Sequence, residues 1–123
     1  MMAHTLVHFE IPANNPEKLV DFHGALLGWK FEKMAGMDYW SVMTVEEGEQ
    51  GVNGGMMRRT NPQQTPMNYY EVESIDDFSS KVASMGGAVV MPKQAVPQMG
   101  WFGVYLDPDG NSFGLWQTDP SAA

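Results

Sequence analysis

Residues 5–29, TLVHFEIPANNPEKLVDFHGALLGW, change their periodicity half-way along. The first part, TLVHFEIP at 5–12, alternates and carries β-forming residues, which predicts a strand. Asn14, Asn15 and Pro16 then supply an N-cap and a first helical position, because an Asn side chain can accept an orphan amide and proline has none to lose there. From Pro16 onward Leu19, Phe22, Leu26 and Leu27 recur at helical spacing, and Gly28 stands where a left-handed C-terminal cap belongs. The stretch is a strand handing over to a helix.

Three strand candidates follow it, Trp29 to Lys33, Tyr39 to Val45 and Val52 to Arg58, with turn-rich segments between them. The plan then repeats. MNYYEV at 67–72 reads as a strand, and Ser74 with Asp77 forms a variant capping box. Ile75, Phe78, Val82 and Met85 make a helical apolar stripe that ends at Gly86 and Gly87. Ala88 to Met91 and Trp101 to Leu106 are strands, and the turn DPDGN at 107–111 introduces a last strand, SFGLWQT. PKQAVPQMG, 92–100, is expected to be a loop. His8 and Met67 stand 59 residues apart, as do Gly51 and Gly110, which points to duplication. The expected fold is α+β: one domain, 1–123, with βαβββ repeats at 4–59 and 67–119 and the polar, proline-bearing linker 60–66 between them.

Composition narrows the function classes. Fifteen acidic against seven basic side chains leave a formal charge of −8, so the surface repels phosphate backbones, and no basic stripe offsets that. Nucleic acid is therefore not an expected partner. Neither is a membrane, since no apolar run approaches the ~18 residues of a span. The N-terminus has neither the basic nor the apolar region of a secretory signal, and the chain has no cysteine; both features fit a cytoplasmic location.

Two phrases, HFEIPANNPEKLVDFHGALLGW at 8–29 and DPDGNSFGLWQ at 107–117, together with the repeat, resemble the vicinal oxygen chelate superfamily of glyoxalases, bleomycin-resistance proteins and extradiol dioxygenases. The resemblance covers almost the whole chain and implies a curled mixed sheet forming a cup, with helices outside. It also implies a homodimer. In metal-dependent members each half contributes one ligand from its first strand and one from its fourth. Here those positions hold His8 and Gly55 in the first half and Met67 and Gly114 in the second. Only the imidazole suits a divalent cation, and one ligand does not hold one. A rescued set of His8, Glu10 and Glu71 is the alternative.

Strand alternation sets Glu10 beside His8, Tyr69 and Glu71 beside Met67, Asn53 and Met57 beside Gly55, and Trp116 beside Gly114. These line an expected cavity with apolar walls and few polar groups, suited to a flat or aromatic small molecule. The same Met and Trp side chains would equally fill a closed core. Tyr39, Trp40, Trp101, Phe102 and Tyr105 stand in strands that border the cup in relatives, so that one or more, Trp101 among them, is a candidate contact for a ligand or a second subunit, and His23 and His4 are expected to be a packing residue and an exposed terminal one. The leading expectation is metal-independent binding of a small, partly aromatic or apolar molecule, without a cofactor. The alternatives are a glyoxalase- or dioxygenase-like metalloenzyme and a metal-free lyase or isomerase using His8 with Glu10 or Glu71. For that last reading a carboxylate would raise the basicity of the imidazole.

Overall fold

The computed structural model describes residues 2–123, in an α+β fold of two βαβββ units. One unit comprises His8–Pro66, and the other comprises Met67–Ala123 with the N-terminal residues up to Val7. The elements of the first are β1 (Leu6–Ala13, beginning two residues before the unit), α1 (Pro16–Leu27), β2 (Lys30–Lys33), β3 (Tyr39–Met43) and β4 (Gly54–Arg58). Those of the second are β5 (Met67–Glu71), α2 (Ile75–Ser84), β6 (Ala88–Val96), β7 (Gly100–Leu106) and β8 (Ser112–Thr118). Strand order is β2-β3-β4-β1 in the first unit and β5-β8-β7-β6 in the second. The pairs β1·β4 and β5·β8 are parallel and the others within each unit antiparallel, as two strands joined through a crossover require.

The duplication is visible in the register. Glu10 lies opposite Gly55 in the first unit and Tyr69 opposite Gly114 in the second, each residue displaced by the same 59 positions. The helix starts keep the interval too. Asn15 caps α1 by accepting from the Lys18 amide at 3.3 Å, and Ser74 caps α2 by accepting from the Asp77 amide at 3.2 Å. Gly28 closes α1 in the left-handed conformation, φ 73°, and its amide donates to the Gly24 carbonyl.

Each unit has its own core on the helix side of its sheet. In the first, Ala13, Trp40, Val42 and Met56 are buried, with Phe9, Ile11, Leu19, Val20, Trp29 and Phe31 packed against them. In the second, Val72, Ile75, Tyr105 and Leu115 are buried under Phe78, Val82, Trp101 and Phe113. Phe9 and Ile11 face the helix, so the two-residue period turns His8 and Glu10 to the opposite face.

Two expectations change in detail. Residues 92–96 are not loop, because β6 continues through Pro92 to Val96 and only the short turn before Gly100 remains. Proline is accommodated because β6 ends its row of strands and its register against β7 shifts on both sides of Met91, so no ladder amide is needed there. Residues 60–66, expected as a linker, belong to the first unit. The Arg59 guanidinium donates to Asn14 Oδ1 and to the Gln64 and Pro12 carbonyls, while Gln64 Oε1 accepts from the Thr60 amide at 2.8 Å. Conversely, the first residues of the chain join the second unit: the Thr5 carbonyl accepts from the Glu71 amide, and His4 pairs with Glu73 at 2.7 Å with its ring against Phe78. His23 packs as expected, stacked on Trp29 with ring centroids 5.2 Å apart.

Candidate functional site

In the first unit β1, β3 and β4 bring three polar side chains to one point on the face away from the helix. His8 Nε2 and the Tyr39 hydroxyl are 3.0 Å apart, and that hydroxyl donates to Glu10 Oε2 at 3.2 Å. His8 Nε2 and Glu10 Oε2 are 3.8 Å apart. The side chain of Glu10 retains 15% exposure and that of His8 35%, so the carboxylate is the more enclosed of the two. A phenol has one proton to give. With that proton on Glu10, the Tyr39 oxygen accepts from His8, which places a hydrogen on Nε2.

Gly55 makes this arrangement possible. A β-carbon at Gly55 would collide with the Tyr39 hydroxyl and ring. The phenol therefore lies in the space that a side chain on the fourth strand would otherwise take. Burial and the neighbouring Glu10 charge push the Tyr39 pKa well above the ordinary phenol value, the Glu10 hydrogen bond adding to both. The group is thus a hydrogen-bond donor through the neutral range. A phenol whose folded pKa is raised contributes stability that is intact below the unfolded value near ~10 and declines as pH rises above it. In an ultraviolet titration Tyr39 is accordingly expected to resist ionisation until the chain unfolds, and Tyr39→Phe to lose that contribution and to weaken the alkaline decline in stability.

The second unit fills its matching space with a ring. Tyr69, 5% exposed, lies where a β-carbon at Gly114 would be, and Phe102 meets it edge-on with centroids 6.3 Å apart. Beside them the Trp116 indole N–H donates to Thr118 Oγ1 at 3.0 Å, and that hydroxyl donates to Glu71 Oε2 at 3.0 Å. Met67 is half-buried at the start of the same strand.

The residues expected from sequence thus divide. His8, Glu10 and Gly55 meet in the first unit, and Tyr69, Glu71, Gly114 and Trp116 share one face of the second. Glu71 belongs to the unit without His8, and its carboxylate is held by Thr118. Asn53 is occupied in the turn between β3 and β4, where its Oδ1 accepts from the Thr44 and Val45 amides. Met57 pairs with Pro12 and Tyr39 across the strands. Trp101 lies on the helix side of β7, its indole N–H donating to Asp119 at 2.9 Å and its ring under Lys93 Nζ at 4.4 Å. Its neighbour Phe102 holds the place beside Tyr69. Tyr39 was expected only among the aromatics of the strands bordering the cup, not as a partner of His8 and Glu10. The signal that would have found it is the glycine at a position of alternating large residues, which implies that a side chain from the next strand covers it.

A divalent ion held as in metal-dependent relatives does not fit these residues. Gly55 and Gly114 have no donor, the Tyr39 and Tyr69 rings occupy the space above them, and Met67 offers only a thioether. Among the described residues no group of three or more His, Asp or Glu is placed to hold a metal. No described helix is long and apolar enough to cross a membrane.

Duplicated βαβββ units whose first and fourth strands pair in parallel define the class of fold to which the chain belongs. Residues 5–115 match the model of the Glyoxalase/Bleomycin resistance protein/Dioxygenase superfamily, and the chain belongs to that family. Among curated proteins it is similar to "Putative glyoxylase CFP32" of Mycobacterium tuberculosis, 29% identical over 122 residues. That alignment covers 94% of this chain and 45% of the relative, so the chain spans about half the length of the curated relatives it matches. Among solved structures, methylmalonyl-CoA epimerase from Mycobacterium tuberculosis superposes with TM-score 0.66 at 14% identity, covering 98% of this chain and 94% of that one. A superfamily member from Vibrio splendidus 12B01 gives TM-score 0.65 at 14% identity, with 95% and 100% covered. At these identities the structures establish the fold alone.

Proposed function

We propose that this chain is a glyoxalase-like protein that binds a small, partly aromatic or apolar molecule without a metal, using His8, Glu10 and Tyr39 as its polar contacts. The observation that carries the reading is the Tyr39 hydroxyl, seated between His8 and Glu10 in the space over Gly55. It replaces a chelating side chain by a neutral donor. A few placed donors and acceptors at half-buried side chains favour a ligand that has one oxygen function on a largely apolar body. The second unit's Phe102, Trp116 and Met67 offer half-buried apolar and aromatic surface of the same character.

A screen of phenolic and carbonyl compounds by calorimetry, using untagged protein, is expected to yield a ligand whose affinity is unchanged by chelator. His8→Ala and Tyr39→Phe should each weaken it roughly tenfold, the consequence of losing one buried hydrogen bond of about 1–2 kcal/mol. Stoichiometric zinc, iron or nickel that is required for binding would overturn the reading. The specific geometry also favours a second reading, in which Glu10 takes a proton from the substrate as the Tyr39 hydroxyl turns its own proton from Glu10 to the substrate oxygen, so the same screen is followed for turnover as well as binding. Glu10→Gln would then abolish turnover and leave binding. A homodimer, expected from the family and consistent with relatives of about twice this length, is checked by light scattering.

A further inference from the structure

Strand pairing sets four side chains of the second unit in one row on the face away from α2. Glu71 of β5 lies opposite Trp116 of β8, Trp116 opposite Phe102 of β7, and Phe102 opposite Gln94 of β6. Neighbouring strands are about 5 Å apart, so the carboxylate and the two rings beside it lie within reach of one small molecule. Glu71 is half-buried and only one of its oxygens is occupied. Thr118 donates to Oε2 at 3.0 Å and is itself fixed by the Trp116 indole N–H, which donates to Thr118 Oγ1 at 3.0 Å. Among the described residues no lysine, arginine or histidine forms an ion pair with Glu71. The ring is held in place as well. A β-carbon at Gly100 would collide with Trp116 Cζ2 and Cη2, so the indole rests over a bare stretch of β7 and stays half-exposed.

The fold does not require this set. Counted by the 59-residue interval, Glu71, Trp116 and Thr118 correspond to Pro12, Met57 and Arg59, and Pro12 pairs with Met57 as Glu71 does with Trp116. The first unit closes the same frame with neither a carboxylate nor an indole at these places. A half-buried carboxylate with no cation of its own, next to an indole, attracts positive charge in two ways, through the ion pair and through the quadrupole of the ring. We propose that the row is a subsite for a protonated amine carried on an aryl body, with the ammonium at Glu71 Oε1 and the Trp116 ring and the aryl group over Phe102. The inference rests on the reading of this face as ligand surface, and it shares no residue with the centre of His8, Glu10 and Tyr39. The same carboxylate turns away an aryl compound that bears a negative charge.

The test titrates phenethylammonium, phenethyl alcohol and phenylpropionate into the full chain, followed by NMR of labelled backbone amides and indole N–H groups. The three probes share an aryl body and differ in charge. Saturable shifts are expected at Glu71, Phe102 and Trp116, with the amine binding about fivefold to twentyfold tighter than the alcohol and the acid weakest. Glu71→Gln, which keeps an acceptor for Thr118, should bring amine and alcohol to equal affinity. Glu73→Gln removes an equal charge close by in sequence, where it pairs with His4, and should leave the preference intact. That control separates a site from the attraction of an acidic chain for any cation. Thr118→Val should lose much of the preference and Thr118→Ser retain it, as expected of a hydroxyl that orients the carboxylate. His8→Ala should leave the amine's affinity unchanged, so that failure of the His8 centre and failure of this subsite are told apart. A preference that survives Glu71→Gln, falls equally in Glu73→Gln or disappears in His8→Ala would overturn the proposal. So would shifts confined to other residues, or no saturation within probe solubility.

Discussion

Replacing Gly55 by alanine is expected to displace the Tyr39 phenol from its place between His8 and Glu10, to abolish ligand binding there, and to cost about 1–3 kcal/mol of stability through overpacking. Gly55 is buried in β4, which lies between β1 and β3, so the strand itself has little room to yield. The added methyl meets the hydroxyl end of Tyr39, and the ring must swing out. Both hydrogen bonds of the hydroxyl are lost as it leaves. The effect should couple to residue 39: Gly55→Ala combined with Tyr39→Leu is expected to be less damaging than the sum of the two changes, by ~0.5–3 kcal/mol. Urea denaturation of the four proteins measures this coupling. Strict additivity would mean that the glycine is not there to make room for the phenol.

The largest loss of stability is expected at Tyr105, which is fully buried in the second unit's core. Its ring stacks against Phe113 with centroids 5.6 Å apart, and its hydroxyl pairs with Ser79 Oγ on α2 at 2.6 Å. Tyr105→Ala should cost about 3–5 kcal/mol, since a buried aromatic ring leaves a cavity that a strand in the middle of a sheet cannot collapse. Tyr105→Phe keeps the ring and removes one hydrogen bond, for about 1 kcal/mol. Because one change empties the core and the other only unties α2 from β7, their difference in denaturation midpoint separates packing from the polar link. A loss below 1 kcal/mol for alanine would show that the second unit's core does not depend on this ring.

Much of the fold was legible because local signals agreed with one another. Asn15 and Ser74 cap helices where their side-chain chemistry predicts, and the 59-residue interval that joins His8 to Met67 reappears in the strand register of Glu10 with Gly55 and Tyr69 with Gly114. Pro92 misled the reading of 92–100, because a proline argues against a strand only where its missing amide is needed, and β6 is at the end of its row. The face of each residue followed from alternation in β1, so Glu10 was correctly set beside His8. In β7 nothing in the sequence distinguished the faces of Trp101 and Phe102, two adjacent aromatics, and the ring beside Tyr69 proved to be Phe102. Tyr39 could not be paired with His8 from sequence, because that contact depends on a strand register between segments 31 residues apart. Gly55 and Gly114 were expected to line the cavity beside their strand neighbours. The structure fills that space with the protein's own tyrosines.

That filling governs how the molecule could acquire a chelating centre. A glutamate introduced at Gly55 alone would meet the Tyr39 ring before its carboxylate reached open space, and one at Gly114 alone would meet Tyr69. Either tyrosine must first be shortened, which empties a place on the sheet and loosens its neighbours before any donor atom is gained. Metal binding is thus separated from the present state by paired changes in a set order, and a single-substitution library would pass over it.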